Sequence, residues 1–73
     1  MNKLYLNKSL YSYKSVIMAI DAYSKLAELI LGENDKEWII TLQNSKYEPV
    51  ITLKEFENYA IGLVFMEMKN AGN

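Results

Sequence analysis

The sequence contains no cysteine, no histidine and no arginine among its 73 residues. Without histidine, no side chain has an unperturbed pKa near neutral pH, and without cysteine there is no thiolate nucleophile, soft metal ligand or disulfide. Without arginine, no planar guanidinium can hold a phosphate group in a bidentate manner. These absences argue against triad, zinc and iron–sulfur chemistry, so we expect a protein that is not an enzyme and uses no cofactor or metal.

Charge and hydropathy exclude two classes of partner. Eight lysines against nine acidic residues give a net charge of -1, which provides no basic field for a nucleic acid. The longest uncharged stretch, residues 58–66, is far shorter than the ~20 residues of a membrane helix, and residues 1–8 lack the apolar core of a secretory signal. We therefore expect no nucleic-acid or membrane partner. Because small secreted domains often need disulfides and this chain has no cysteine, we also expect a cytoplasmic protein.

The composition is that of one packed domain. Hydrophobic residues make up 51% of the chain and charged residues 23%, so we expect a single domain over residues 1–73, with fraying at residues 1–2 and 71–73. A chain of ~60 residues removes only ~60% of its unfolded surface from water on folding. Stability should therefore be marginal, and association with a second chain would increase it.

Two elements are indicated in the first half of the chain. Leu4 and Leu6 alternate with polar positions in a way that predicts a strand over residues 3–7. Ser12 is then a plausible N-cap for an amphipathic helix over residues 13–25, in which Val16 and Ile20 fall on one face.

Residues 26–31 fit either a continuation of this helix or a strand. We favour a strand over residues 28–32, because it would pair with the clear strand at residues 36–43.

The last element is predicted from a capping box. Pro49 ends the turn after the strand, and the sequence T-L-K-E at residues 52–55 fits a box in which Thr52 and Glu55 cap each other's backbone N–H groups. We therefore expect a helix over residues 53–69.

The predicted fold class is α+β, a small β-α-β-β-α domain in which a three-stranded sheet carries both helices on one face. Its other face should be partly open. Trp38, Ile40 and Leu42 would provide the apolar surface that the two helices share. We expect the first and third strands to present the free edges of the sheet.

The last helix carries more apolar residues than one sheet can cover. Phe56, Ala60 and Leu63 form one stripe, and a second stripe lies on another side. A glycine inside a helix costs ~1 kcal/mol relative to alanine, which favours close approach of another backbone. We therefore predict a homodimer. Alternatively, Gly62 could pack on its own sheet, and the N-terminal segment could loosely cover Met66 and Met68. The predicted interface consists of Ile61, Gly62, Phe65, Met66 and Met68.

Aromatic and acidic residues have simpler interpretations than binding chemistry. Because no basic field accompanies them, we interpret the aromatic side chains as core or interface residues rather than as a nucleic-acid stacking platform. These are Tyr5, Tyr11, Tyr23, Trp38 and Tyr47. The acidic residues Glu33, Asp35 and Glu37 lack the spacing of a calcium loop and indicate a solvated hairpin tip.

Several short motifs together resemble a known family. These are L-Y-S at residues 10–12, A-Y at residues 22–23, W-I-I-T-L at residues 38–42, N-S-K-Y at residues 44–47 and E-F-E-N-Y at residues 55–59. Over residues 4–60 the chain resembles the HxsD and HxsD-like proteins, which are encoded beside radical SAM enzymes in His-Xaa-Ser peptide-modification systems. Some relatives have cysteine where this chain has Ser45, and the family offers no catalytic residues to carry over.

The resemblance implies an accessory function. We expect an adaptor in ribosomal peptide maturation that binds a precursor peptide or a radical SAM enzyme, with a sheet edge accepting the peptide as an added strand. The alternative is a self-associating structural or regulatory protein, antitoxin-like or phage-encoded, with an unrelated protein partner.

Overall fold

The computed structural model describes residues 2–71 and places them in five elements. In chain order these are β1 (Asn2–Asn7), α1 (Tyr13–Tyr23), β2 (Ala27–Glu33), β3 (Glu37–Ser45) and α2 (Pro49–Ala71). The predicted β-α-β-β-α order of a small α+β domain is confirmed. Of the residues expected to fray, Asn2 and Ala71 lie within β1 and α2, while residues 1, 72 and 73 lie outside the described residues.

The three strands form one antiparallel sheet with β3 at its centre, in the order β1-β3-β2. Ile40 of β3 lies opposite Leu4 on one side and Leu31 on the other. The strand predicted over residues 28–32 is therefore confirmed as β2, and the longer helix is wrong. The expectation that the third strand is an edge is also wrong, because the β2–β3 hairpin occupies one side of β3 and β1 occupies the other. The sheet edges are β1 and β2.

One face of the sheet carries the core, and the other is open. Both helices lie on the first face, where α2 packs on β1 and β3 and α1 packs against α2. Leu6, Ile40 and Phe56 are among the largest fully buried side chains. Strand alternation sends every second residue of the sheet to the opposite face, where Tyr5 is 51% exposed and Ile30 44% exposed. The predicted open face is present.

Helix α1 begins as the sequence predicts. The Ser12 side chain accepts a hydrogen bond from the Ser15 backbone N–H at 3.0 Å, which confirms Ser12 as the N-cap. The helix ends at Tyr23, two residues earlier than expected. Its last turn closes where the Ser24 backbone N–H and hydroxyl both donate to the Asp21 carbonyl oxygen.

The predicted start of α2 is wrong. The helix begins at Pro49, and the Glu48 carboxylate accepts a hydrogen bond from the Ile51 backbone N–H at 2.8 Å, as an N-cap side chain does. Proline suits this first position because it lacks the N–H that would need a partner and its φ is already helical. Thr52 is buried inside the first turn, where its hydroxyl donates to the Glu48 carbonyl oxygen at 2.9 Å. Glu55 is exposed on the next turn, inside the helix, and is therefore not at its N-terminus.

Candidate protein-interaction surfaces

The second half of α2 exposes large apolar side chains. Phe65, Met66 and Met68 are each 61% exposed, whereas Ile61 is half-buried and packs against the core. The alternative in which the N-terminal segment covers the two methionines is therefore wrong. We treat this exposed apolar patch as a candidate surface for a partner.

Gly62 lies within this exposed region of α2. A Cβ built on Gly62 would meet no atom of the described residues within 4 Å beyond its chain neighbours and helix backbone. The alternative in which Gly62 packs closely on its own sheet is therefore wrong. A glycine costs ~1 kcal/mol relative to alanine inside a helix. Close packing within the chain does not explain why α2 has a glycine at position 62. The homodimer contact at Gly62 stays a prediction.

A second candidate surface is the free edge of β1. The Lys8 backbone N–H donates to the Lys36 carbonyl oxygen at 2.8 Å. Because hydrogen-bonded pairs alternate along an antiparallel ladder, Leu6 and Leu4 also bond to β3 through their backbones. The N–H and C=O groups of Lys3 and Tyr5 therefore point away from β3, and they form the kind of unpaired row that accepts an added strand.

A shallow groove runs beside this edge, between β1 and the first half of α2. Its volume is about 230 Å³. Its apolar lining comes from both elements, and two lysines and one glutamate supply its charges. The lining residues are Asn2, Lys3, Leu4, Val50, Leu53, Lys54 and Glu57. The β1 edge thus combines unpaired backbone groups with a cavity for side chains.

The β2 edge is less suited to strand addition. The pairing of β2 with β3 shifts register between Glu28 and Leu29, because β3 has one extra residue, Gln43, without a partner on β2. A bulge of this kind increases the local twist of the paired strands, and a twisted edge is a poorer template for an added strand. We therefore place a candidate peptide site on β1.

The hairpin tip between β2 and β3 is organised by an asparagine. The Asn34 side-chain oxygen accepts hydrogen bonds from the backbone N–H groups of Lys36 and Glu37 at 2.9 and 2.7 Å. Glu33 and Asp35 are exposed, and Glu33 pairs with Lys8. Over residues 2–71, no group of three carboxylate, histidine or cysteine side chains is placed to hold a metal ion.

The aromatic residues divide between core and surface. Tyr11 is buried, and its carbonyl oxygen accepts a hydrogen bond from Trp38 Nε1 at 2.8 Å. Tyr23 packs edge-on against Phe56, with ring centroids 5.6 Å apart. Burial raises the pKa of both the Tyr11 and Tyr23 hydroxyls. Tyr5 and Tyr47 are 51% and 65% exposed, so the core interpretation does not hold for either of them.

A carboxylate from α2 contacts the N-terminus of α1. Glu67 Oε1 accepts hydrogen bonds from the hydroxyl of the N-cap Ser12, at 2.8 Å, and from the hydroxyl of the fully buried Ser15. A negative charge at a helix N-terminus is favourable because it faces the positive end of the helix dipole. No local motif marks Glu67, because the Ser15 contact spans 52 residues of sequence.

The contact predicts a specific dependence of stability on pH. The Ser15 and Ser12 hydrogen bonds, with Lys14 nearby, hold the pKa of the Glu67 carboxyl below its ordinary value of 4.5. A lowered folded-state pKa stabilises the protein above the unfolded value, and this contribution is lost as pH falls through the folded value. We therefore expect the urea midpoint of Glu67→Gln to fall less than that of the wild type as pH drops below 4.5.

Urea titrations at several pH values would check this, with Asp35→Asn at the exposed hairpin tip as the control. The control should retain the wild-type pH dependence. Equal pH dependence in the wild type and Glu67→Gln would show that Glu67 does not stabilise the start of α1.

Neither helix of the described residues has the length and apolarity that a membrane span requires. The candidate surfaces on the described residues are the exposed half of α2 and the edge of β1. The resemblance to the HxsD-like proteins is carried by the short motifs alone. Comparison of the chain with protein-family models, curated proteins and solved structures finds no match.

Proposed function

We propose that the protein is a non-catalytic adaptor that binds an extended peptide segment as a strand added to β1. The observation that carries this proposal is the juxtaposition of the outward backbone groups of Lys3 and Tyr5 with the groove beside them. In strand addition, main-chain hydrogen bonds supply affinity and alternate side chains of the peptide enter pockets.

The groove favours a peptide of particular chemistry. Leu4, Val50 and Leu53 would contact apolar side chains at alternate positions of the peptide. Lys3 and Lys54 would attract an acidic side chain, since Glu57 balances only one of them. The resemblance to the HxsD-like proteins suggests that such a segment belongs to a precursor peptide or a radical SAM enzyme of a peptide-maturation system.

Backbone amide shifts of labelled protein would test this proposal. The probe is a short synthetic peptide in which valine alternates with glutamate, compared with a scrambled peptide of the same composition. We expect the alternating peptide to shift the amides of β1 and to leave those of β2 unchanged. Shifts confined to β2, or equal shifts with both peptides, would contradict the proposal.

A proline substitution at Tyr5 separates the contribution of the backbone N–H to peptide binding from that of the side chain. Tyr5→Pro removes an N–H that points to the free edge, without removing a bond to β3. Loss of this hydrogen bond should weaken peptide binding by about three- to tenfold. Tyr5→Thr is the matched control, because it removes the same ring from the open face and keeps the N–H. Equal affinities of the two variants would rule out strand addition at β1.

A further inference from the structure

Three residues of α2 recur at a spacing of seven. Glu55 lies seven residues before Gly62, and Lys69 lies seven residues after it. Residues seven apart fall on nearly the same face of a helix, two turns from each other. Glu55 and Lys69 are exposed and Gly62 is partly exposed, so this line of residues faces away from the core.

Apolar side chains flank Gly62 on both sides of this line. Tyr59 is 43% exposed, and Phe65 and Met66 are each 61% exposed. We call the six residues Glu55, Tyr59, Gly62, Phe65, Met66 and Lys69 the crossing face. It shares no residue with the groove beside β1. It has a glycine at the centre, one charge of each sign at the ends and apolar residues between them, and the exposed Asn58 is a polar position one turn before Gly62.

This order of residues is complementary to itself in one orientation. When two identical helices cross antiparallel at Gly62, Glu55 faces Lys69 of the partner subunit at both ends. Tyr59 and Phe65 lie three residues on either side of Gly62, so Tyr59 of each copy faces Phe65 of the other copy. In a parallel pair, Glu55 would face a second Glu55 and Lys69 a second Lys69, and both contacts would be repulsive.

We propose that two copies of this chain associate through the crossing face as an antiparallel α2 pair, with Gly62 at the two-fold axis. The missing Cβ of Gly62 lets the two backbones approach, which accounts for a glycine with open space around it. A two-fold interface uses the same patch on both copies, as this symmetry requires. The association is independent of peptide binding at β1.

The small size of the face favours a weak dimer. From Glu55 to Lys69 the helix rises about 21 Å at 1.5 Å per residue, so the contact is about four turns long. An interface made by one helix of this length lies at the small end of specific interfaces, below about 1,200 Å² in total. The dimer should therefore form at high micromolar concentration and dissociate on dilution.

Reversal of the two charges tests the register. Glu55→Lys and Lys69→Glu should each weaken self-association about tenfold at low salt, because each places like charges together at both ends. The double variant, and an equimolar mixture of the two single variants, should regain wild-type association. Analytical ultracentrifugation measures each case, and circular dichroism checks that every variant is folded.

Three outcomes of this experiment would overturn the proposal. They are a monomeric wild type at high micromolar concentration, single variants that associate as the wild type does, and a mixture that stays monomeric.

Cysteine crosslinking gives a second test, because the chain has no cysteine of its own. A disulfide needs Cα atoms about 4.4–6.8 Å apart, so only facing positions crosslink readily. Glu55→Cys should crosslink in a mixture with Lys69→Cys and not by itself. Lys46→Cys, outside the crossing face, is the control. Crosslinking of Glu55→Cys alone, at a rate equal to that of the mixture, would overturn the antiparallel register.

Discussion

Replacing Phe56 with alanine is expected to unfold the domain. Phe56 is fully buried in the face of α2 that meets the core, and Tyr23 packs edge-on against its ring at 5.6 Å. Truncation of a buried phenylalanine costs about 3–5 kcal/mol, which is close to the whole stability of a core in a chain this short. Circular dichroism and urea titration should show the loss of a cooperative transition at room temperature.

Phe65→Ala on the same helix is the matched control. Phe65 is 61% exposed, so its truncation should change the free energy of unfolding by no more than about 0.5 kcal/mol. The comparison is made at low micromolar concentration, where any dimer contributes little. If Phe65→Ala destabilised the monomer as much as Phe56→Ala, α2 would be rotated about its axis relative to the structure described above.

The periodic elements of this fold could be predicted from local sequence. Alternation of Leu4 and Leu6 indicates β1, and Ser12 marks the start of α1 because its side chain caps a backbone N–H three residues away. The β2 strand is harder to predict, since residues 26–31 fit either a strand, which we favour, or a continuation of α1. The strand hypothesis succeeded because it supplied a hydrogen-bonding partner for β3.

The start of α2 does not follow from the local sequence, because two cap signals overlap. The sequence around Thr52 and Glu55 fits a capping box, but Glu48 and Pro49 provide an earlier start, one turn ahead. The structure adds a tertiary reason. The Thr52 hydroxyl lies 3.1 Å from the Ser45 hydroxyl at the end of β3, and this contact between elements leaves no local signal.

The candidate surfaces were only partly accessible to sequence reasoning. The exposed side of α2 follows from counting apolar faces, because one sheet cannot cover Phe65 and Met68 as well as Phe56. The β1 edge does not follow, since strand order depends on which side of β3 each neighbour occupies. The proposed pairing of Glu55 with Lys69 does not follow from the sequence either, because it depends on Gly62 facing away from the core.

Introducing a charge at Ile40 is the second change expected to abolish folding. Ile40 lies at the centre of β3 with no exposed surface, between Leu4 and Leu31. Ile40→Asp loses the burial of an aliphatic side chain, about 2–5 kcal/mol on truncation, and places an unpaired carboxylate in an apolar environment. The aspartate can remain inside only if it is protonated, so any residual folding should be favoured at acidic pH.

Its neighbour Ile39 provides the control, because strand alternation turns it to the open face between Tyr5 and Gly32. Ile39→Asp should cost about 1 kcal/mol through lost strand propensity and partial burial, and the variant should stay folded. Urea titrations of both variants at neutral pH measure the difference. Equal loss of structure in the two variants would mean that a second layer covers the open face, since only burial on both sides would make Ile39 as intolerant of charge as Ile40.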